Sequence, residues 1–154
     1  AEIAAWAYTR MDDLITNPPK CNPASQFRDA LMIALLIICP AMRLGNLTRI
    51  IIGHHLQRTS DGYRLAFSRD ETKTDKPMNL PIPDSLSPYL DHYIHHIRPQ
   101  LIGDEEFDRL WITKYGQPMK GKTIYDRITK VTKRAFDVSI NLTYSETAPS
   151  PRWQ

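Results

Sequence analysis

Arg43 is the first residue whose surroundings suggest chemistry. It follows an apolar run, ALLIICPAM over residues 34–42, and precedes the apolar Leu44. A charged side chain beside a core segment is costly unless it is paired or binds an anion. From this stretch alone, Arg43 is either a buried structural charge or a ligand for an anion such as phosphate.

Lys73 and Lys76 lie in a polar segment, RDETKTDKP over residues 69–77, between two apolar segments. A lysine at a flexible tip can approach a bound phosphate backbone, and it can give up a proton to a leaving oxygen. A plain polar turn that only favours solubility is the alternative.

Positive charge is concentrated between positions 120 and 134, where six basic residues accompany one acid, Asp126. The basic residues are Lys120, Lys122, Arg127, Lys130, Lys133 and Arg134. Arg127, Lys130 and Arg134 are spaced as i, i+3 and i+7, so they predict a cationic ridge on one helix face that suits phosphates. A solvated helix face is the alternative.

The histidines and glycines do not form a recognisable cofactor site. His92, His95 and His96 share a predicted helix, and His54 and His55 come earlier, but no cysteine or carboxylate accompanies them at metal-ligand spacing. The glycines form no phosphate-binding loop, dinucleotide motif or Gly-x-Ser-x-Gly turn. We therefore expect neither a metal ion nor a nucleotide cofactor.

Composition sets the broad class. A chain of 154 residues, 42% hydrophobic and 24% charged, fits one globular domain with a buried core. Its net charge of +3 permits nucleic-acid binding. Two cysteines without zinc or disulfide-framework spacing favour a reduced, cytoplasmic setting. The apolar stretch 30–39 is about half the roughly 20 residues of a membrane span, so we expect no membrane partner.

Helical spacing predicts several elements that would position these residues. A first helix is expected over residues 2–15, and a second, apolar nearly all round, from a Ser25 cap to about Cys39. One or two turns follow Arg43, and another helix begins with a Ser87 cap and Pro88 and ends near residues 98–99. The last helix, residues 122–136, is expected to bury Ile124, Ile128, Val131 and Ala135.

Alternating apolar residues predict strands at YRLAFS (63–68) and MNLPI (78–82), joined as a hairpin whose tip carries Lys73. RLWIT (109–113) is a candidate third strand. The predicted fold class is α+β, mostly helical with a small antiparallel three-stranded sheet.

Three segments in this order resemble the tyrosine recombinase, or phage integrase, family. RDALMIALLIICPAMRLGNLTRI resembles the family motif RDxLLLxLLLxTGLRxSELxxL and places Arg43 on the motif arginine. ETKTDKPMNLPIP resembles the KTxKxRxVPLP hairpin and places Lys73 on the family's catalytic lysine. LWITKYGQPMKGKTIYDRI resembles the segment that follows, so the resemblance covers about residues 27–142.

The resemblance implies a reaction. Family members cut double-stranded DNA through a 3′-phosphotyrosyl intermediate, act with other recombinase protomers and use no metal or nucleotide cofactor. Arg43 would then neutralise charge on the scissile phosphate, and Lys73 would protonate the leaving 5′ oxygen. Lys76 and the basic residues of 120–134 would hold flanking phosphates.

The chain also departs from the family pattern. Asn46 replaces the usual acidic residue, and Pro40-Ala41 replaces the common Thr-Gly. The family continues with a His-x-x-Arg element and a nucleophilic tyrosine, but here no histidine follows His96. Tyr144 comes too early to be that nucleophile, and Arg152 lacks a histidine three residues before it to be the second arginine.

We therefore expect residues 1–142 to form the N-terminal portion of a tyrosine recombinase catalytic domain and residues 143–154 an irregular or foreign tail. The first hypothesis for function is a truncated recombinase fragment that does not cleave DNA by itself. The alternative is a non-catalytic DNA-binding relic or an inhibitory partner of an intact integrase. An unrelated α+β interaction domain is a third hypothesis.

Overall fold

The computed structural model of the chain describes residues 2–136. Its helices are α1 (Glu2–Thr16), α2 (Pro23–Ile38), α3 (Leu44–Arg49), α4 (Ser87–His92), α5 (Arg98–Leu101) and α6 (Gly121–Phe136). Its strands are β1 (Leu56–Thr59), β2 (Gly62–Phe67) and β3 (Met78–Pro81). The predicted α+β class, with one antiparallel three-stranded sheet, is confirmed. The predicted tail and the positions of Tyr144 and Arg152 lie outside the described residues.

Helix α2 is the centre of the core, as its nearly continuous apolar sequence predicts. Phe27, Leu31 and Leu35 are almost completely buried, and the helix packs against α1, α5 and α6. Its start differs from the prediction: Asn22 precedes the helix in a left-handed conformation, with φ of 50°, and Pro23 occupies the first turn. Ser25 therefore lies inside the first turn, and the predicted Ser25 cap is wrong.

The sheet has strand order β1-β2-β3, and both pairs are antiparallel. Tyr63, Leu65 and Phe67 of β2 are buried, as their alternation predicts. The third strand is β1, however, and not the predicted RLWIT segment. That segment makes only isolated bridges, Ile51 with Arg109 and Ile112 with Pro118.

The helix after the sheet begins and ends differently from the prediction. Leu86 is its N-cap and Ser87 is already helical, so the predicted Ser87 cap is wrong. The helix also continues past residues 98–99, through a π-helical turn at Tyr93–Ile97 and then α5. Pro99 has no N–H to donate to the carbonyl four residues earlier, which favours such local rearrangement.

Helix α6 closes the domain against α2 and α3. Ile124 and Ile128 are buried and Val131 is partly buried, as predicted. Ala135 is exposed, so its predicted burial is wrong. Its place on the apolar side is taken by Thr132, whose hydroxyl donates to the Ile128 carbonyl at 2.8 Å and can therefore be buried without cost. None of the helices within residues 2–136 is both long enough and apolar enough to cross a bilayer.

Candidate functional site

Arg43 lies at the corner between α2 and α3. Helix α2 ends at Ile38, and Pro40 follows, which cannot donate a helical hydrogen bond. Arg43 then takes the N-cap position of α3, where its backbone N–H donates to Asn46 Oδ1 at 3.3 Å. The residue is partly exposed, and within residues 2–136 its guanidinium makes no hydrogen bond or ion pair. The Arg43 side chain is therefore available to an anionic ligand.

Lys73 and Lys76 are both exposed in the connection between β2 and β3. The turn is held by its own polar groups: the Thr72 hydroxyl donates to the Lys76 carbonyl at 2.6 Å. Asp75 adopts a positive φ of 57°. The two ammonium groups are free of ion pairs within the described part of the chain, so the alternative of a plain polar turn is compatible with the local structure.

A cavity of about 680 Å³ brings these cations together. We call it the arginine–lysine cavity, because its lining includes Arg43, Lys73 and Lys76. Its remaining wall is largely apolar and comes from α2, the corner, β3 and α6, with Ile33, Leu36, Ile37, Met42, Met78 and Ile128. Positive groups beside an apolar wall interact more strongly with an anion than the same groups in bulk water. The cavity therefore has the electrostatic character of an anion site.

A chain of hydrogen bonds links the arginine corner to the lysine-bearing connection. Asn46, which accepts from the Arg43 N–H, donates through Nδ2 to the Glu71 carbonyl at 2.9 Å. Glu71 ends a single 3₁₀ turn, Arg69–Glu71, two residues before Lys73. Its carboxylate accepts from the Ser68 backbone N–H at 2.8 Å, from the Ser68 hydroxyl at 2.9 Å and from His55 Nε2 at 2.7 Å.

These contacts make Glu71 a strongly stabilised carboxylate. The hydrogen bond from His55, followed by those from Ser68, outweighs partial burial and lowers the pKa of Glu71 from 4.5 to about 2. Sequence reasoning missed this residue as part of the site. The spacing Ser68-x-x-Glu71 is a capping signature that would have indicated a local turn, but no sequence signal predicts the contact with His55.

The histidine and carboxylate contacts at this position raise the question of a metal site, because ligand atoms of His54, His55 and Glu71 lie within 4.8 Å of one another. His55 Nδ1 accepts a hydrogen bond from the Ile51 backbone N–H at 3.0 Å. The ring proton therefore resides on Nε2 and is donated to Glu71. A metal on Nε2 would require that proton to move to Nδ1, where it would face the Ile51 N–H. The geometry fits a hydrogen bond and not a metal ligand.

The other histidines lie on the helix predicted for them. His95 and His96 are exposed and His92 is partly buried, where desolvation and the neighbouring His96 lower its pKa. His95 lies 3.5 Å from Asp91, an exposed pair one helical turn apart. Nothing in this arrangement connects them to the arginine–lysine cavity.

The basic helix does not present all of its predicted cations equally. Lys120, Lys122, Lys130, Lys133 and Arg134 are exposed. Lys122 lies 3.7 Å from Asp126 in an exposed pair. Arg127 instead turns toward α2, where Nε and Nη2 donate to Asp29 Oδ2 at 3.1 and 2.8 Å. Its partner is completely buried, so Arg127, whose side chain is 36% exposed, is already paired with a carboxylate within the predicted ridge.

Comparison with known proteins finds sequence similarity to part of a bacterial recombinase. Over 110 residues the chain is 30% identical to the tyrosine recombinase XerD of Staphylococcus aureus, with the same match in strains Mu50 (ATCC 700699), N315 and MW2. The matched segment is 71% of this chain and 35% of each recombinase, so the chain spans about a third of the length of these curated relatives. No family model matches the chain. The similarity supports a relationship to part of the tyrosine recombinases.

Proposed function

We propose that this chain is the N-terminal portion of the catalytic domain of a tyrosine recombinase and that it binds the phosphodiester backbone of double-stranded DNA. The observation that carries the proposal is that Arg43 and Lys73 line one cavity, and neither side chain is engaged by residues 2–136. Two cations that face one space without a partner in the described part of the chain suit a ligand with a delocalised negative charge.

In a complete recombinase that supplies a tyrosine, the proposed chemistry assigns one role to each cation. A deprotonated tyrosine oxygen attacks the phosphorus, so an O–P bond forms while the bond from phosphorus to the 5′ oxygen breaks. Arg43 neutralises the charge that grows on the phosphate in the transition state. Lys73 donates its Nζ proton to the departing 5′ oxygen. We assign the nucleophile to no residue between 2 and 136.

The exposed part of the basic helix would hold the DNA on either side of this phosphate. Lys120, Lys122, Lys130, Lys133 and Arg134, together with Lys76, are the proposed backbone contacts. Such contacts orient a duplex without reading its sequence. Because each releases counterions, we propose that binding is weak and strongly dependent on salt.

Cleavage of DNA needs groups that are not assigned within residues 2–136. Because no His-x-x-Arg element and no nucleophile are assigned there, we propose that this chain binds DNA without cleaving it, as a fragment of a phage-type integrase acting with other protomers. A cytoplasmic location is proposed as well, supported by Cys21 and Cys39, which are both free thiols. The alternative, a non-catalytic DNA-binding relic or an inhibitory partner of an intact integrase, shares the binding step. Its complete coding sequence would not supply the groups needed for cleavage.

DNA binding is tested by the fluorescence anisotropy of a labelled 30-base-pair duplex titrated with the chain at several salt concentrations. Arg43→Ala and Lys73→Ala should each weaken binding about three- to tenfold, and each should lower the slope of log K against log salt by about one. Lys20→Ala removes an equal charge at an exposed position outside the cavity and is the control. Equal effects of all three changes, or none, would contradict the proposal.

Cleavage is tested separately with a nicked duplex that traps a covalent protein–DNA adduct on a denaturing gel. The chain of 154 residues should give no adduct, and formation of one would refute the non-cleaving assignment. If the complete coding sequence supplies the His-x-x-Arg element and the tyrosine, the longer protein should form the adduct and lose it with Arg43→Ala. A coding sequence without them favours the relic.

A further inference from the structure

Within residues 2–136, the hydrogen bonds that join the connection carrying Lys73 to residues outside it meet at Glu71. The backbone carbonyl of Glu71 accepts from Asn46 of α3, and its side chain accepts from His55, which precedes β1. Beyond Glu71 the turn is stabilised by contacts among its own residues, such as the Thr72 hydroxyl with the Lys76 carbonyl. The position of Lys73 relative to α3 therefore depends on the two bonds that meet at Glu71, in addition to the pairing of β2 with β3 at the base of the connection.

His55 is a rigid support for this attachment. The residue is 3% exposed, and its ring stacks on Phe67 with centroids 4.6 Å apart and an angle of 24° between the planes. The Ile51 N–H fixes Nδ1 as an acceptor, so Nε2 must be the donor to Glu71. A buried ring with both nitrogens engaged holds the Glu71 carboxylate in one place.

We propose that His55 and Glu71 are positioning residues that hold Lys73 in register with Arg43 across the arginine–lysine cavity, an inference that rests on the proposed function. Arg43 reaches the same support from the other side, because its N–H is bonded to Asn46, and Asn46 is bonded to Glu71. The two cations thus share one hydrogen-bonded frame and can act together on a single phosphate.

The chemistry of the attachment calls for a carboxylate. Glu71 receives donors at both oxygens, from His55 at Oε2 and from Ser68 at Oε1. A glutamine of the same shape offers one oxygen and one NH₂ group. In either orientation, its NH₂ group would face a donor. Glu71→Gln should therefore weaken the hydrogen bonds at this side chain that support Lys73, while changing the volume of the side chain very little.

The test measures how strongly Arg43 and Lys73 depend on each other. DNA affinity is measured by anisotropy for the parent chain and for the chain with Arg43→Ala, with Lys73→Ala and with both changes. If both cations bind one phosphate, the fold-loss of DNA affinity in the double variant should be smaller than the product of the two single fold-losses, by about three- to tenfold. We call the product of the single fold-losses divided by the double fold-loss the coupling ratio. The same four proteins are then prepared with Glu71→Gln. In that set the coupling ratio should fall to about one.

Matched variants separate positioning from charge and from general loss of structure. Asp70→Asn removes the same charge from an exposed neighbour in the same turn and should leave the ratio unchanged. The asparagine of His55→Asn can still accept from the Ile51 N–H but does not reach Glu71. The coupling ratio should therefore fall to about one in this variant. The glutamine of His55→Gln can place an amide N–H near the position of Nε2. This variant should therefore keep much of the coupling ratio of the parent chain. Thermal unfolding of each protein shows whether it is folded.

Failure of the proposed function and failure of the positioning role give different results in this experiment. If Arg43→Ala and Lys73→Ala leave DNA binding unchanged in the parent chain, both the proposed function and the positioning role fail. If they weaken binding but the ratio survives Glu71→Gln and His55→Asn, only the positioning role fails. If both of these variants unfold, the network is a structural element of the fold, and the positioning role is likewise rejected.

Discussion

Arg127 and Asp29 are joined across the core, with Arg127 Nη2 2.8 Å from Asp29 Oδ2. They are 98 positions apart and connect α6 to α2. The other oxygen of Asp29 accepts from Arg28, also at 2.8 Å, and Arg28 donates onward to the Ile112 carbonyl at 2.9 Å. One buried carboxylate thus accepts hydrogen bonds from two guanidinium groups and joins α2, α6 and the segment before α6.

Removing the charge of Asp29 should destabilise the domain severely. Asp29→Asn leaves Arg28, which is 3% exposed, without a counterion. Breaking a buried pair in this way costs about 3–5 kcal/mol of the free energy of unfolding. Urea denaturation measures the loss. Asp126→Asn removes the exposed partner of Lys122 and should change stability by less than about 0.5 kcal/mol. Similar losses in both variants would contradict this account of Asp29.

Substitutions of Arg127 and Lys130 should have different effects, because Arg127 supports the fold and Lys130 contacts DNA. Lys130→Ala should weaken duplex binding and lower the salt slope by about one, with little change in stability. Arg127→Ala should instead cost about 2 kcal/mol of stability, because Asp29 loses a charged hydrogen bond. Its salt slope should change less than that of Lys130→Ala. The reverse pattern would restore Arg127 to the predicted ridge.

Gly116 should resist substitution where Gly103 does not. Gly116 has a φ of +83°, and a Cβ atom there would lie 2.9 Å from the backbone nitrogen of Gly103. Gly116→Ala should therefore cost about 1–3 kcal/mol of the free energy of unfolding. A Cβ atom on Gly103 would meet nothing within 4 Å. Gly103→Ala should be close to neutral, and equal unfolding midpoints for the two variants would exclude the steric explanation.

The sequence predicts the elements that carry their own periodicity and fails where a contact depends on the complete fold. The apolar run of α2 and the alternation of β2 are local patterns, and both are confirmed. Strand β1, LQRT, buries only Leu56, so it offers almost no pattern to read. RLWIT is apolar because Leu110, Trp111 and Ile112 fill the core, and not because they belong to a sheet.

The candidate site divides in the same way. The cations Arg43 and Lys73 can be recognised from residue type and motif, and they line one cavity. Their support cannot be recognised, because His55 and Glu71 meet only when the sheet brings together residues 16 positions apart. Charge alone likewise cannot show that Arg127 has a buried partner. A sequence displays which groups are charged, but tertiary contacts decide which of them remain free.

The bond between His55 and Glu71 should contribute to stability in a defined pH range. The pKa of Glu71 in the folded protein is lowered from 4.5 to about 2, so folding favours its ionised form. That contribution is complete above about pH 5 and is lost as the pH falls from 4.5 toward 2. Glu71→Gln removes it at every pH. The difference in urea midpoint between the parent chain and Glu71→Gln should therefore be largest near pH 6 and shrink toward pH 2.5. A difference that stays constant over this range would mean that the carboxylate is not held in its ionised form.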